Sequence, residues 1–206
     1  ITDMSTLYLD ILKDRLYTFK LDSKERRASQ IVLYNILISL TKLIAPVLSF
    51  TAEEIWKHIP GKKEESVFLS SFPEVIDKWI DTDLETDWAR LSLIRNEVNK
   101  ALEIKRQEKF IGNALEAKVF LYSDEDTYQL LDKYNVFLPT LFIVSSVLHY
   151  KNEKIPDMAY QSADVKDLSV VVEKADGDKC QRCWNWDVSV GTFEAHPDLC
   201  KKCYKV

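Results

Sequence analysis

Apolar residues recur along the first half of the chain at helical spacings. Between residues 4 and 20, Leu7, Ile11, Leu12, Leu16 and Phe19 fall three to five apart and draw one stripe down a helix. Ser23 is placed to cap a second helix that runs to about Ala45. Its apolar positions include Ile31, Val32, Tyr34, Leu37, Ile38, Leu40, Leu43 and Ile44, which predicts burial on most sides. Pro46 stops it. Thr51 with Glu54 reads as a capping box that starts a short helix, and Pro60-Gly61 ends that helix. Ser66–Phe72 reads as extended. Asp83 opens the longest pattern, which reaches about Lys109 with Trp88, Leu91, Ile94, Val98, Ala101, Leu102 and Lys105 on one face. Antiparallel helices with such stripes pack as a bundle.

The period changes after Gly112. Ala117–Tyr122, Phe142–Tyr150 and Leu168–Glu173 read as strands rich in Val and Ile, with a helix over Asp124–Tyr134 between the first two. Asp176-Gly177-Asp178 is a turn into a cysteine-bearing tail. The pattern therefore predicts a mainly α chain in three parts. A helical bundle spans 1–112, a small α+β module spans 113–175, and a metal-binding finger spans 176–206.

Composition narrows the class. The chain has 206 residues, 46% hydrophobic and 30% charged, which suits a folded chain with a real core. No apolar run approaches the ~20 residues that span a bilayer. Asp3, Asp10 and Asp14 interrupt the first segment, so it does not read as a signal peptide. A cytoplasmic protein with reduced thiols is the expectation. Ile at position 1, already inside a helical pattern, suggests a piece of a longer chain.

The net charge of -5 argues mildly against a nucleic-acid partner, but its distribution matters more. Ten acids oppose four lysines between Glu53 and Asp87. Seven bases oppose four acids from Arg90 to Lys118, and five oppose three from Lys179 to the end. An acidic middle separates two mildly basic surfaces.

The tail carries Cys180-x2-Cys183 and, after sixteen residues, Cys200-x2-Cys203. Each two-residue spacing lets a tight turn aim two sulfurs at one point, and two such turns supply a tetrahedron. Four thiolates leave no position open for water, so the pattern predicts one structural zinc ion. Two disulfides would need an oxidising compartment, and a redox pair would need only one Cys-x-x-Cys. His196, four residues before Cys200, is an alternative ligand that a complete set of thiolates does not require. With so little core of its own, such a tail draws its folding energy from the metal.

Phosphate-binding glycine loops and a G-x-S-x-G elbow are absent from the sequence, and His58 and His149 stand alone, so nothing in these residues points to a catalytic group. Arg182, Trp184, Trp186, Lys201 and Lys202 surround the cysteines. Zinc would gather them on one knob, where cations neutralise phosphates and exposed rings stack on unpaired bases. Equally, Trp184 and Trp186 could fill the small core over the metal. The stretch Lys100, Lys105, Arg106, Lys109 could likewise be the wet face of a helix.

Four segments together resemble the C-terminal end of bacterial-type isoleucyl-tRNA synthetases. They are Leu7–Tyr17, Ala45–Trp56, the run Asp87–Leu91 with Arg95–Glu103 and Ile111–Glu116, and Cys180–Trp184 with His196–Cys203. The resemblance covers nearly the whole chain. It implies that the bundle is the class I synthetase anticodon-binding type. It implies that the finger helps to grip the anticodon stem-loop of the isoleucine tRNA. It also implies that a catalytic domain, with His-Ile-Gly-His and Lys-Met-Ser-Lys-Ser signatures not found in this chain, uses ATP to activate isoleucine and charge the tRNA.

The expected chain is thus a catalytically inactive, monomeric tRNA-binding part of a ligase, partnered by the rest of the synthetase and by no membrane. Its zinc ligands would be Cys180, Cys183, Cys200 and Cys203, and its RNA contacts Arg182, Trp184, Lys201 and Lys202. The competing expectation is a zinc-stabilised protein-interaction module with no RNA role. Valyl or leucyl specificity within the same class is disfavoured by the terminal finger, by resemblance alone.

Overall fold

The computed structural model describes residues 3–206 and is about half helical, with a small sheet. Its contacts divide it into two compact units: Arg15–Asp81, and the segment up to Asp14 joined with Thr82–Val206.

The longer unit starts with a π-helical turn, Asp3–Tyr8, that leads into α1 (Leu9–Thr18). Helix α4 (Thr82–Gln107) buries Leu91, Ile94, Val98, Ala101 and Leu102, the face that the spacing marks. It also buries Glu97. Lys105, expected on that face, instead pairs with Glu108 at 2.8 Å. The helix ends with Lys109 in the left-handed region (φ 57), while the Phe110 N–H donates back to the Lys105 carbonyl at 3.0 Å.

Strand β1 (Ala117–Ser123) alternates buried and half-buried residues. It pairs in parallel with β2 (Ser146–Lys151) and antiparallel with β4 (Ser169–Lys174), and β3 (Tyr160–Gln161) adds to β4. The order is β2-β1-β4-β3. Val119, Leu121, Val147, Val170 and Val172 share one core with α4, with α5 (Glu125–Lys133) and with α6 (Leu138–Phe142). Asp124 caps α5 by accepting from the Thr127 N–H at 3.0 Å.

The second strand starts later than its apolar run. Leu138–Phe142 is a short helix that ends at Ile143 in the left-handed region (φ 57). Unbroken apolar residues carry no period, so they cannot separate a buried helical turn from a buried strand. The two-residue β3 has no sequence signature of its own.

In the shorter unit, α2 (Lys24–Ile44) is capped by Ser23, whose Oγ accepts from the Arg26 N–H at 3.2 Å. Helix α3 (Ser49–His58) packs Ala52 and Trp56 with Ala45, Ile59 and Val67. Three local expectations fail in this unit. Helix α2 is not buried on most sides: Ile31, Leu40 and Leu43 are at least half exposed, and its buried residues are Ser29 and Thr41. Thr51 does not cap α3, which begins two residues earlier without a side-chain cap, and Glu54 pairs with Lys57 instead. Helix α2 does end at Ile44, just before Pro46, as the sequence predicts, and the Leu48 N–H closes a turn onto the Ile44 carbonyl at 2.8 Å. Ser66–Phe72 is not extended throughout: Val67–Leu69 forms a 3-10 turn pinned by Glu53, which accepts from the Val67 N–H at 3.2 Å.

Candidate metal centre and nucleic-acid interface

The tail forms a knob built from a two-stranded hairpin and one helical turn. Strand β5 (Asp178–Lys179) pairs with β6 (Trp186–Asp187), and α7 (Lys201–Tyr204) closes the segment. Gly177 (φ 83) is required at the hairpin mouth, because a Cβ there would come within 2.4 Å of the Asp187 carbonyl. Inside the hairpin, the Trp184 N–H closes a turn onto the Cys180 carbonyl at 2.9 Å. This tight turn is what aims Cys180 and Cys183 at one point.

The sulfurs of Cys180, Cys183, Cys200 and Cys203 all lie within 4.8 Å of one another. Zn–S bonds of about 2.3 Å hold tetrahedral sulfurs about 3.8 Å apart. The Cys183 and Cys200 sulfurs stand 3.7 Å apart, which fits two corners of that figure and is far longer than a disulfide bond. Cys180, Cys200 and Cys203 are buried and Cys183 is half-buried, so the donor set closes around its centre. Four soft donors in this arrangement could hold one zinc ion and leave it no open position.

Electrostatics point the same way. Burial opposes ionisation of Cys180, but N–H groups of Cys183, Cys200 and Arg182 outweigh it and bring the thiol down to about 7. The Cys200 N–H lies 3.3 Å from the Cys180 sulfur. Burial pushes Cys183 up to about 11 and drives Cys203 up as well, where neighbouring sulfurs add to the effect. Metal-free, the buried group resists full ionisation. A divalent cation supplies the attraction that four clustered thiolates need.

The other candidates divide. Trp184 is 57% exposed and sits in the left-handed region (φ 65), with the Lys179 ammonium 5.3 Å from its ring centre. It does not fill a core over the metal. Arg182 and Lys201 are exposed, and Arg182 reaches the Cys203 carbonyl at 3.3 Å. Lys202 is different: its ammonium lies 2.7 and 2.9 Å from the two carboxylate oxygens of Asp14 on α1. Burial opposes its charge, but Asp14 outweighs that and holds its pKa above the ordinary lysine value. Trp186 is half-buried, and its backbone N–H donates to Ser145 Oγ at 2.7 Å.

His196 is exposed, outside the sulfur cluster, and tilted against Tyr204, whose ring stacks on Phe193 at 4.2 Å. His149 lies beside Asp132 at 3.5 Å, and His58 beside Glu54 at 3.4 Å. Along α4, Lys100 pairs with Glu97 and Asp164, and Arg106 with Glu103. These cations of the helical basic stretch are matched by local acids.

The sequence did not single out Asp14, Ser145 or Ser189 as parts of the site. Ser189 Oγ accepts from the Lys201 N–H at 2.8 Å and so anchors α7. All three act through the fold from distant or unremarkable positions, and no spacing rule announces them.

A helical chain with a small sheet and an appended zinc-finger-like knob defines a recognisable class. The model described as the anticodon-binding domain of tRNA ligase matches residues 1–121, and the zinc finger found in FPG and IleRS matches residues 177–206. The chain belongs to the tRNA-ligase anticodon-binding domain family. Among similar proteins, an isoleucine–tRNA ligase of Natranaerobius thermophilus is 44% identical over the whole chain. One of Thermoanaerobacter sp. is 48% identical over 98% of it, and one of Syntrophotalea carbinolica 48% over 99%. The chain spans 22% of the length of each of these relatives.

Proposed function

We propose that this chain is the tRNA-binding, C-terminal part of an isoleucine–tRNA ligase, and that its zinc knob faces the anticodon stem-loop. In this reading residues 1–112 act as an antiparallel helical bundle of the anticodon-binding type, 113–175 as a junction, and 176–206 as the finger. Cys180, Cys183, Cys200 and Cys203 hold one structural zinc ion. Charging of the tRNA with ATP-activated isoleucine belongs to a catalytic domain outside these residues, and the chain works in the cytoplasm as a monomer.

The observation that carries the reading is Trp184. A bulky residue at φ 65 is strained by about 1–2 kcal/mol, and glycine would relieve the strain. Yet an indole stands there with most of its ring in solvent. Stacking on an unpaired base, worth about 1–3 kcal/mol, gives such a ring a use. Arg182 and Lys201 flank it as phosphate partners. Lys202, the fourth expected contact, is engaged by Asp14 and serves the set by holding the knob in place. Phosphate contacts supply affinity and register, while the ring stacks on a base.

A filter-binding titration of the zinc-loaded chain with the isoleucine tRNA across a salt series tests this. Affinity should fall steeply with salt, and neutralising Arg182 or Lys201 should reduce the log–log slope by about one each. A flat salt response would favour the competing protein-interaction reading.

A further inference from the structure

We infer that Asp14 and Ser145 are positioning residues that lock the zinc knob onto the rest of its unit, with Lys202 and the Trp186 backbone as their counterparts. The knob has a small sheet and core of its own, and the metal organises its interior without orienting it. Beyond the Lys118–Asp176 ion pair at its first residue, at 2.7 Å, two polar attachments among the described residues do that. Lys202 on α7 reaches both carboxylate oxygens of Asp14, at 2.7 and 2.9 Å, with both side chains more than half buried. On the hairpin, Ser145 Oγ accepts from the Trp186 N–H at 2.7 Å while its own hydroxyl donates to the Leu115 carbonyl. The Ser145 N–H in turn donates to the Ala117 carbonyl at 3.1 Å, so this hydroxyl is rooted in the start of β1.

The attachments hold opposite halves of the knob. One grips the helical turn that carries Cys203, and the other grips the strand two residues past Trp184. Together they prevent the knob from pivoting about either contact. Asp14 is therefore an acid whose presence strengthens RNA binding, because it fixes the pose of Arg182, Trp184 and Lys201. This binding consequence rests on the RNA-facing reading above. The clamp itself does not.

The test uses the zinc-loaded full chain with Asp14→Asn, Lys202→Asp and the swap Asp14→Lys/Lys202→Asp. Hydrogen exchange at the Trp186 amide reads the clamp without RNA, and tRNA binding reads its consequence. In Asp14→Asn the exchange rate should rise about fivefold, as expected for loss of a partly buried ion pair. tRNA affinity should fall, although a negative charge has been removed. The swap should restore both readouts to within about twofold of the original chain, by the additivity logic of paired mutations. Unchanged exchange in Asp14→Asn would overturn the clamp. Tighter tRNA binding in that variant would overturn the binding consequence, since it would make Lys202 a direct phosphate contact that Asp14 masks. If the unsubstituted chain bound no tRNA, the RNA reading would fall, and the exchange arm would still decide the clamp.

Discussion

Trp184 concentrates two opposing demands in one residue. Its backbone sits where the knuckle turn needs a left-handed conformation, and its ring projects into solvent beside Lys179. Trp184→Gly separates the demands. The chain should become no less stable to denaturant, and by up to about 1 kcal/mol more stable, because the strained position relaxes. The same change should weaken tRNA binding about tenfold through the lost stacking surface. Equal losses of stability and affinity would mean that the indole is a packing residue. Glu97 is a second instructive residue. It is fully buried, yet it accepts from Lys100 at 2.6 Å and from the Ala163 N–H at 2.8 Å. Burial works against its charge, but those donors outweigh it and bring the carboxyl from 4.5 to about 2. A carboxylate lowered in the folded state adds stability above its unfolded pKa, and that stability is lost as pH falls towards the folded value. Glu97→Gln should cost about 2 kcal/mol at pH 7 in urea unfolding, since buried donors lose a charged partner. The gap to the unsubstituted chain should narrow from pH 4.5 down to about 2. A gap constant over that window would show that the carboxylate charge contributes nothing.

At the scale of elements, α4 shows how far pattern reasoning reaches. Its buried face and its extent were legible because one amphipathic period runs through 26 residues. Strand β1 was legible for the same reason, with a period of two. Helix α2 was legible in its Ser23 cap and its span but not in its burial, since its many apolar residues say nothing of how many faces a partner covers. The start of α3 escaped because Thr51 and Glu54 match the capping-box spacing inside a helix that had already begun at Ser49. The cysteines were fully legible as a donor set, because metal geometry dictates short local spacings. Asp14 was not: its partner lies 188 positions away, and long-range pairing leaves no local trace. The end of α4 offers its own test. Lys109 occupies the left-handed cap position that glycine fills without strain. Lys109→Gly should raise thermal or denaturant stability by about 0.5–1 kcal/mol. A loss would mean that the lysine side chain contributes more than its backbone costs.

For the molecule as a whole, two kinds of stability coexist. The sheet and α4 share a continuous apolar core that needs no metal. The knob has only Cys180, Cys200 and Cys203 as its buried cluster, with Cys183, Val190 and Leu199 against it. With so small a cluster the knob is expected to draw its fold from the ion, and the proposed RNA-facing surface would follow it. Among the described residues no helix is long and apolar enough to cross a membrane. The most direct measurement is the affinity of the full chain for the isoleucine tRNA, taken with one zinc per chain verified by elemental analysis and again after chelation. Zinc removal should unfold residues 177–206, leave the α4 and sheet amides protected, and weaken tRNA binding by tenfold or more, about 1.4 kcal/mol. Undiminished binding by the metal-free chain, or purified protein without stoichiometric zinc, would contradict a metal-held RNA-facing knob.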